Sequence, residues 1–212
     1  DSCDAVLKPE NLSTLSKCGV SFLNALTEIF ATVLHYTGKD SNSTNIDDYK
    51  EAGKLLSTLR PYITYFHSSQ YINDLANGDI CVAIGWSGDV MQAAARAKDA
   101  NNGVVVDYVI PKEGALVFYD MMAIPADAKH PENAHAFINY LMKPDVIAKI
   151  SNFVSYASAN KASLPMVDAA IRDNPNIYPT AEMKPKMFTL KVLPQKVNRE
   201  VTRVWTKVKT GK

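Results

Sequence analysis

Several protein classes are excluded by what this 212-residue sequence lacks. It has no surplus of charge of one sign, because 23 basic and 22 acidic residues leave a net charge of +1. Such a balance offers no electrostatic footprint for a nucleic acid or an anionic membrane. No apolar run approaches the roughly 20 residues of a membrane-spanning helix. An N-terminal export signal is also missing, which is uninformative because a mature chain would lack it too.

Motifs for catalysis and for cofactors are missing as well. The chain contains no GxxxxGKS/T, GxGxxG, HExxH or GxSxG pattern, so phosphate binding, dinucleotide binding, zinc proteolysis and serine hydrolysis have no sequence signature. Among the four histidines, only His130 and His135 stand close together, and a loop leading into a helix explains that pair better than a metal site. The sequence therefore predicts a protein without catalytic residues, metal or cofactor.

The cysteines are few and do not fix a cellular compartment. Cys3, Cys18 and Cys81 form no CxxC pair, and no histidine lies at zinc-finger spacing from them. Two of them could form a disulfide and leave one over, or all three could be unpaired thiols. Spacing alone leaves both alternatives open.

What the sequence does have is the composition and the patterning of an α/β protein. Hydrophobic residues make up 47% and charged residues 21%, as in ordinary globular domains. Helical periodicity alternates with short apolar runs bounded by glycine and proline, and this interleaving predicts the α/β class. Helices are predicted over 9–18, 21–36, 49–59, 68–78, 90–97, 131–142, 145–152 and 198–209, and strands over 80–84, 104–110 and 116–124.

Acidic and aromatic residues accompany one of the predicted turns. The apolar run 80–84 leads into the turn 85–89, which contains Trp86 and Asp89, and then into a helix. In α/β folds, turns at the carboxyl ends of strands line ligand sites. A carboxylate beside an aromatic ring suits an elongated aliphatic cation, because the acid offsets the desolvation of an ammonium group and the ring packs the methylene chain. Each feature also has an ordinary structural explanation, with Trp86 in the core and Asp89 as a helix cap.

Five stretches of the sequence resemble the periplasmic putrescine-binding proteins of bacterial ABC transporters, and the similarity extends over essentially the whole chain. The stretches are KPEN at 8–11, YFHSSQYINDLANGDICVA at 65–83, GWSGDV at 85–90, IPKEG at 110–114 and WTKVKTGK at 205–212. The resemblance implies a two-lobed periplasmic-binding-protein fold (type II) that traps a polyamine, such as putrescine or spermidine, between α/β lobes and delivers it to a membrane permease. It also implies a monomer located in the periplasm.

The same resemblance implies how the chain is divided. Residues 1–112 would form most of one lobe, residues 113–183 part of the other, and residues 184–212 a C-terminal return to the first lobe. Closure is expected near 101–117 and again near 184–194. Members of the family carry a further N-terminal segment that completes one lobe and the site, so this chain is expected to lack part of both.

Ligand contacts are carried over from the resemblance residue by residue. Trp86 would flank the ligand chain, while Asp89 and Asp120 would each bind an ammonium group. Lys191, in the FTLK stretch, is included because that position lies near the site in the family. The complete predicted set of ligand-binding residues is Glu28, Ser68, Trp86, Asp89, Phe118, Asp120, Tyr156 and Lys191.

Two further details follow from the resemblance. Glu28 matches the family acid in the helix after the CGVSF stretch, where two adjacent acids are common; Thr27 occupies the other position here, which leaves the choice among diamine, triamine and agmatine open. Cys18 and Cys81 match the disulfide positions of the family, which favours an oxidising periplasm and leaves Cys3 without a partner.

Two other functions are compatible with an α/β fold. A sensor or scaffold would use it to bind a partner protein, and loss of the acidic and aromatic residues would have favoured that alternative. A hydrolase would need a positioned nucleophile, or an acid and a base with separated pKa values, and no sequence motif supplies either.

Overall fold

Residues 1–211 are described by a computed structural model of the chain, and Lys212, the last residue of the predicted C-terminal return, lies outside the described residues. The described chain forms two compact units. Unit 1 comprises Asp1–Val117 together with the chain from Ala181 onward, and unit 2 comprises Phe118–Thr180. The predicted assignment of lobes to 1–112, 113–183 and 184–212 stays a prediction. Within residues 1–211, no helix is long and apolar enough to cross a membrane.

The described residues form ten α-helices and three strands, and local sequence signals mark some of their ends. The helices are α1 (Asp4–Leu7), α2 (Pro9–Leu15), α3 (Leu26–Tyr36), α4 (Ile46–Leu59), α5 (Tyr71–Asn77), α6 (Ser87–Ala100), α7 (Pro131–Leu141), α8 (Pro144–Val154), α9 (Ala169–Arg172) and α10 (Gln195–Thr210), and the strands are β1 (Val20–Phe22), β2 (Tyr65–Phe66) and β3 (Val82–Ala83). Short 3-10 helices cover Ser16–Cys18, Arg60–Tyr62, Lys161–Met166 and Lys184–Lys186. Asn45 caps α4 by accepting a hydrogen bond from the backbone N–H of Asp47 (3.1 Å). Gly78 ends α5 in the left-handed conformation that glycine adopts readily.

The three strands form one parallel sheet in unit 1, in the order β2–β1–β3. Ser21 of β1 lies opposite Tyr65 on one side and Ala83 on the other. The connections between consecutive strands are helical, with α3 and α4 after β1 and α5 after β2, as parallel pairing requires. The carboxyl ends of all three strands therefore lie at one edge of the sheet, and the loops that follow them start there.

Unit 1 encloses a contiguous apolar core around the sheet. Val201 and Trp205, on one face of α10, are buried, and the indole packs edge-on against Phe30 and Phe66 with centroid distances of 6.1 and 5.2 Å. Helix α10 approaches α4 closely because residue 53 is glycine, where an added Cβ would lie 2.2 Å from a valine methyl group of α10. Such close packing makes the core sensitive to the loss or gain of single methyl groups.

A disulfide joins Cys18 to Cys81, which confirms the pairing that the resemblance implied. It links the turn before β1 to the residue before β3, and the backbone N–H of Cys81 donates to the carbonyl oxygen of Gly19 (3.2 Å) beside it. Gly19 has a φ of +89°, and an added Cβ would lie 2.8 Å from the side chain of Ile80, so glycine is required on both counts. Cys3 is a free, buried thiol.

Unit 2 buries fewer and smaller side chains than unit 1. Its buried residues among those described are Ala148, Ser151, Ser163, Val167 and Ile177. Helix α7 has no buried residue, although its sequence is amphipathic. Of the twelve exposed large apolar side chains in the described chain, nine lie in this unit: Phe118, Tyr119, Met121, Met122, Phe137, Tyr140, Met142, Phe153 and Met166.

The helix predicted over 21–36 is wrong in its first part. Residues 20–22 form β1, and the helix begins only at Leu26. Val20, Ser21 and Phe22 are completely buried and lie between two neighbouring strands. Tertiary pairing therefore overrides a helical pattern that continues from Phe22 to Leu26.

The strands predicted over 104–110 and 116–124 are not found in the described residues. Leu116 forms a single parallel bridge with Phe188, supported by a hydrogen bond from the backbone N–H of Val117 to the Phe188 carbonyl oxygen (2.7 Å). The rest of both segments forms no ladder within residues 1–211, because a strand needs a neighbouring strand to pair with its backbone groups. The remaining predicted helices and the strand within 80–84 are confirmed, with ends shifted by at most three residues.

Candidate functional site

Four of the predicted ligand-binding residues follow the three strands of the parallel sheet. Glu28 lies in the first turn of α3, after β1, and Ser68 lies two residues after β2. Trp86 and Asp89 lie at the start of α6, after β3. Because parallel strands end at one edge, these residues belong to the same edge of the sheet. We call Glu28, Ser68, Trp86 and Asp89 the strand-end group, and all four are half-buried.

A tyrosine that the sequence did not single out holds part of this group in place. Tyr71 in α5 is fully buried. Its hydroxyl donates a hydrogen bond to Oδ2 of Asp89 (2.9 Å) and accepts one from the backbone N–H of Trp86 (2.9 Å). One phenol thereby positions both the carboxylate and the start of α6. The contact depends on Gly85, because an added Cβ there would lie 2.6 Å from the Tyr71 ring.

The only sequence signal for this contact is the glycine before Trp86. A glycine directly after a strand indicates close approach of another group to the backbone. It does not reveal that the approaching group is Tyr71, which lies fourteen residues earlier in the YINDL stretch.

Trp86 and Asp89 are each anchored on one side. The Trp86 indole is half-buried and packs against the apolar core of unit 1. Part of its surface therefore serves the core, as expected for a tryptophan that follows a strand. Asp89 lies in the first turn of α6, where the helix dipole favours a negative charge. The Tyr71 hydroxyl adds a hydrogen bond to the same carboxylate. Both residues are thus pre-positioned, which lowers the entropic cost of binding a solute.

The loops after β1 and β2 are also held by local hydrogen bonds. The hydroxyl of Thr27 donates to Oε2 of Glu28 (2.6 Å), so a neutral donor stands beside the acid where the sequence resemblance implied a second carboxylate. Around Ser68, Nδ1 of His67 accepts hydrogen bonds from the two backbone N–H groups that follow the serine (3.2 and 2.9 Å). The imidazole thereby acts as a cap for the loop.

Three other predicted residues lie in unit 2. The rings of Phe118 and Tyr156 meet edge to face, with centroids 6.3 Å apart and planes at 72°. Asp120 stands two residues after Phe118 and is exposed. Unit 2 thus combines an aromatic pair with a carboxylate close in sequence, which are the residue types expected to contact an alkylammonium ion. The ligand-binding roles of these three residues remain predictions.

Lys191 lies in a different part of unit 1 from the other candidates. Its backbone N–H donates to Oδ1 of Asn42 (2.6 Å), and the Asn42 amide donates in turn to the carbonyl oxygen of Thr189 (2.9 Å). Asn42 belongs to the loop after the C-terminal end of α3, whereas Glu28 lies in the first turn of that helix. These contacts do not bring Lys191 to the strand-end group, and its role stays a prediction.

A hydrogen-bonded cluster outside these candidates ties the first residues of unit 1 to Glu113. The Glu113 carboxylate accepts hydrogen bonds from the Ser2 hydroxyl (2.5 Å) and the backbone N–H of Cys3 (3.0 Å). Burial acts to raise the pKa of Glu113, but these hydrogen bonds outweigh it and hold the pKa below its ordinary value. Burial, and then the charge of Glu113, raises the pKa of the Cys3 thiol to about 12. Cys3 is therefore protonated and unreactive at neutral pH.

Comparison with known proteins finds relatives that match the whole chain. The profile of the family described as "Bacterial extracellular solute-binding protein" matches residues 14–180. The putrescine-binding periplasmic protein PotF of Escherichia coli is 63% identical over 213 residues, covering 100% of this chain and 58% of PotF. The putrescine-binding periplasmic protein SpuD of Pseudomonas aeruginosa is 53% identical over 212 residues, with the same coverage of each chain. This chain thus spans 58% of the length of these curated relatives.

A solved structure shows the same fold. The spermidine/putrescine ABC transporter substrate-binding protein PotD of Streptococcus pneumoniae superposes with a TM-score of 0.76, over 96% of this chain and 62% of that chain, at 20% sequence identity. At this level of identity the likeness concerns the fold. It confirms the predicted α/β fold class.

Proposed function

This chain belongs to the family of bacterial extracellular solute-binding proteins, and on that premise we propose that it captures a polyamine of the putrescine class for delivery to an ABC transporter permease. The observation that supports this most directly is that Glu28, Ser68, Trp86 and Asp89 follow the carboxyl ends of the three parallel strands, which lie at one edge of the sheet in unit 1. Ligands of open α/β sheets bind at that edge. The names of the relatives indicate the ligand class, since both are described as putrescine-binding.

The chemistry of the strand-end group suits an alkyldiamine. An ammonium group that leaves water needs charged or polar acceptors, and the carboxylates of Asp89 and Glu28 supply them. The methylene chain between the ammonium groups needs apolar contact, and the exposed part of the Trp86 indole provides a face that attracts cations and packs hydrocarbon. The Tyr71 hydroxyl holds both the Asp89 carboxylate and the backbone N–H of Trp86.

In this proposal Asp89 is the principal charged contact for the ligand, Trp86 packs its methylene chain, and Tyr71 holds both residues in place. In unit 2, we propose the same kinds of contact for Phe118, Asp120 and Tyr156, with Asp120 as a second ammonium partner. Lys191 is a poor direct partner for a cation, because like charges repel, so any contribution from it would come from its backbone or its aliphatic stem.

The proposed location is the periplasm, and the proposed working form is a monomer. Both relatives are described as periplasmic, and the Cys18–Cys81 disulfide requires an oxidising compartment to persist. Binding would shift the protein towards the conformation that a permease recognises.

Isothermal titration calorimetry with putrescine, spermidine, cadaverine and agmatine tests this proposal. The titrations use this chain and the same chain extended by the part of PotF that it does not match. Saturable one-to-one binding of at least one polyamine to the extended chain is the expected result. Asp89→Asn should weaken that binding about 10- to 100-fold, because a charged hydrogen bond contributes about 1.5–3 kcal/mol.

Asp99→Asn is the matched control, since it removes the same charge from the exposed end of the same helix. It should leave the affinity within a factor of about two, because an exposed charge at that distance is screened by solvent. Absence of binding of every polyamine to both proteins, or equal losses from the two substitutions, would contradict the proposal.

A further inference from the structure

Positive charge is concentrated on helix α10. Five of its sixteen residues are basic and one is acidic, which gives the helix a net charge of +4. The whole chain has a net charge of +1, so the residues outside this helix sum to −3. The charge balance of the whole sequence gave no reason to expect an electrostatic partner, but it does not describe the surface that this helix presents.

Four of the basic side chains lie on one face of α10 and are exposed. They are Lys196, Arg199, Arg203 and Lys207, and we call them the basic stripe. At 3.6 residues per turn and a rise of 1.5 Å per residue, the stripe spans an arc of about 80° and a length of about 17 Å. The opposite face of the helix is buried in unit 1 and includes Trp205. Packing of that face therefore directs the stripe towards solvent.

Little negative charge neutralises the stripe. Glu200 pairs with Arg203, with 2.5 Å between Oε1 and Nη1. Within residues 1–211, the other three cations of the stripe form no ion pair. The fifth basic residue of α10, Lys209, differs from them because its ammonium group donates to Oδ1 of Asn24 (3.0 Å). Lys209 thus has a structural role, whereas most of the stripe contacts only solvent.

The helix itself does not account for the first half of the stripe. A helix dipole favours cations near the C-terminal end and disfavours them in the first turn. Lys207 follows this pattern, but Lys196 is the second residue of α10, and the first turn contains no acidic residue. Arg199 follows three residues later, also without an ion pair among the described residues. Residues that break a local rule without a compensating contact are expected where a surface has a further use.

The composition of the stripe indicates an anionic surface rather than a protein as its partner. None of the large apolar side chains that are exposed in residues 1–211 lies on α10, whereas protein interfaces have an apolar and aromatic centre. A bilayer that contains anionic lipids attracts lysine and arginine without such a centre. The choice of a lipid partner rests on the proposed periplasmic location, which places the protein beside a membrane.

We propose that the basic stripe of α10 binds the surface of an anionic phospholipid membrane. The four cationic side chains contact lipid phosphate groups, and the helix does not insert, because its apolar face is already buried in unit 1. Such binding is electrostatic and reversible, and it weakens as the salt concentration rises. It would concentrate the protein at the membrane in which a permease works.

Cosedimentation with lipid vesicles tests this proposal without any polyamine, so its result is independent of ligand binding. The protein is the chain extended by the part of PotF that it does not match. It should bind phosphatidylcholine vesicles that contain about 30% phosphatidylglycerol at about 50 mM salt, and the binding should disappear at about 500 mM salt. Vesicles of phosphatidylcholine alone should not bind the protein.

The double variant Lys196→Gln, Arg199→Gln should bind the anionic vesicles about 20-fold more weakly, because each cation at such a surface contributes roughly fivefold. Its unfolding midpoint should be unchanged or slightly higher, since the substitutions remove cations from the positive end of the helix dipole. The control is Lys17→Gln with Lys98→Gln, which removes the same charge from exposed lysines on other elements of unit 1. It should change the binding by less than about twofold.

Absence of binding to the anionic vesicles at low salt would overturn the proposal. Equal losses in the two double variants would do the same, because the net charge of the protein and not the stripe would then govern binding. Binding to polyglutamate but not to vesicles, lost in the variant at Lys196 and Arg199, would assign the stripe to an acidic protein instead.

Discussion

The two units of this protein differ in how far they bury their large apolar side chains. Unit 1 has a parallel sheet, a disulfide and a core that includes Phe22, Phe30 and Trp205. Unit 2 buries only small or medium side chains and leaves nine large apolar residues exposed. Helices of similar amphipathic pattern occur in both, so the difference arises from what lies against each helix. An amphipathic pattern predicts that a helix has an apolar face, but it does not identify the partner of that face.

The candidate ligand residues of each unit show the same contrast. In unit 1, the side chains of Trp86 and Asp89 are positioned by Tyr71, by the core and by the helix dipole. In unit 2, Phe118 and Tyr156 contact each other, while Asp120 is exposed. Pre-positioned groups lose little entropy when a ligand binds. We therefore expect substitutions at the unit 1 residues to affect both stability and binding, and those at Asp120 to affect binding alone.

Matched phenylalanine substitutions should give the largest difference between the units. Phe22→Ala removes a side chain with 0% exposure in the core of unit 1, whereas Phe153→Ala removes one with 86% exposure in unit 2. The first should cost about 3–5 kcal/mol of unfolding free energy, and the second less than about 0.5 kcal/mol. Urea unfolding followed by far-ultraviolet circular dichroism measures both. Equal losses would mean that Phe153 is buried in solution.

Removal of the disulfide should destabilise unit 1 by a similar amount. Cys18 and Cys81 are separated by 63 residues, for which chain entropy predicts about 4 kcal/mol. The double change to serine should therefore lower the urea midpoint seen by tryptophan fluorescence, which reports on unit 1 because Trp86 and Trp205 both lie there. Cys3→Ala is the control that retains the disulfide. An unchanged midpoint in the double variant would show that the crosslink adds no stability.

Loss of one tyrosine hydroxyl should lower the unfolding free energy moderately in unit 1 and hardly at all in unit 2. Tyr71→Phe removes a buried donor to Asp89 and should cost about 1–3 kcal/mol of unfolding free energy. The same change at Tyr119, which is 66% exposed, should cost less than about 0.5 kcal/mol. Chemical denaturation compares the two. If Tyr71→Phe leaves stability and polyamine affinity intact, Tyr71 does not position Asp89.

The smallest expected effect is on acid stability. Hydrogen bonds from Lys39 and then Ser43 lower the pKa of Asp48 in unit 1 below its ordinary value of 3.8. The folded state therefore keeps this carboxylate ionised at a pH where the unfolded state binds a proton, so its contribution is present above pH 3.8 and is lost as the pH falls through the folded pKa. In unit 2, the adjacent Arg172 lowers the pKa of Asp173, but residues adjacent in sequence keep their contact in the unfolded chain.

Asp48→Asn should therefore flatten the decrease in unfolding free energy below pH 3.8, whereas Asp173→Asn should leave it unchanged. Denaturation midpoints measured in a series of acidic buffers check this. The opposite ranking of the two variants would show that the exposed pair in unit 2 has tertiary contacts that it lacks in the structure.

Local sequence patterns were sufficient to predict most of the helices, but they were insufficient to predict most of the strands. The helix over 131–142 was predictable because Pro131 opens it and apolar residues recur at its period. Strand β1 was missed because three residues between Gly19 and Asn24 carry no period of their own. Strands were predicted over 104–110 and 116–124 because both segments are apolar. An apolar segment does not show whether a second strand lies beside it to pair with its backbone, and neither strand is found in the described residues.

The sequence by itself determined the α/β class, the positions of most helices, and, through the family resemblance, the disulfide and the set of candidate ligand residues. These follow from interactions within a few residues, or from motifs that stay together along the chain. Only the tertiary structure decided which short runs pair as strands, that Tyr71 holds Asp89 and Trp86, and that α7 contributes no fully buried side chain. Each of these depends on groups far apart in the chain, and a hydrogen bond or a covered apolar face exists only when both partners are present.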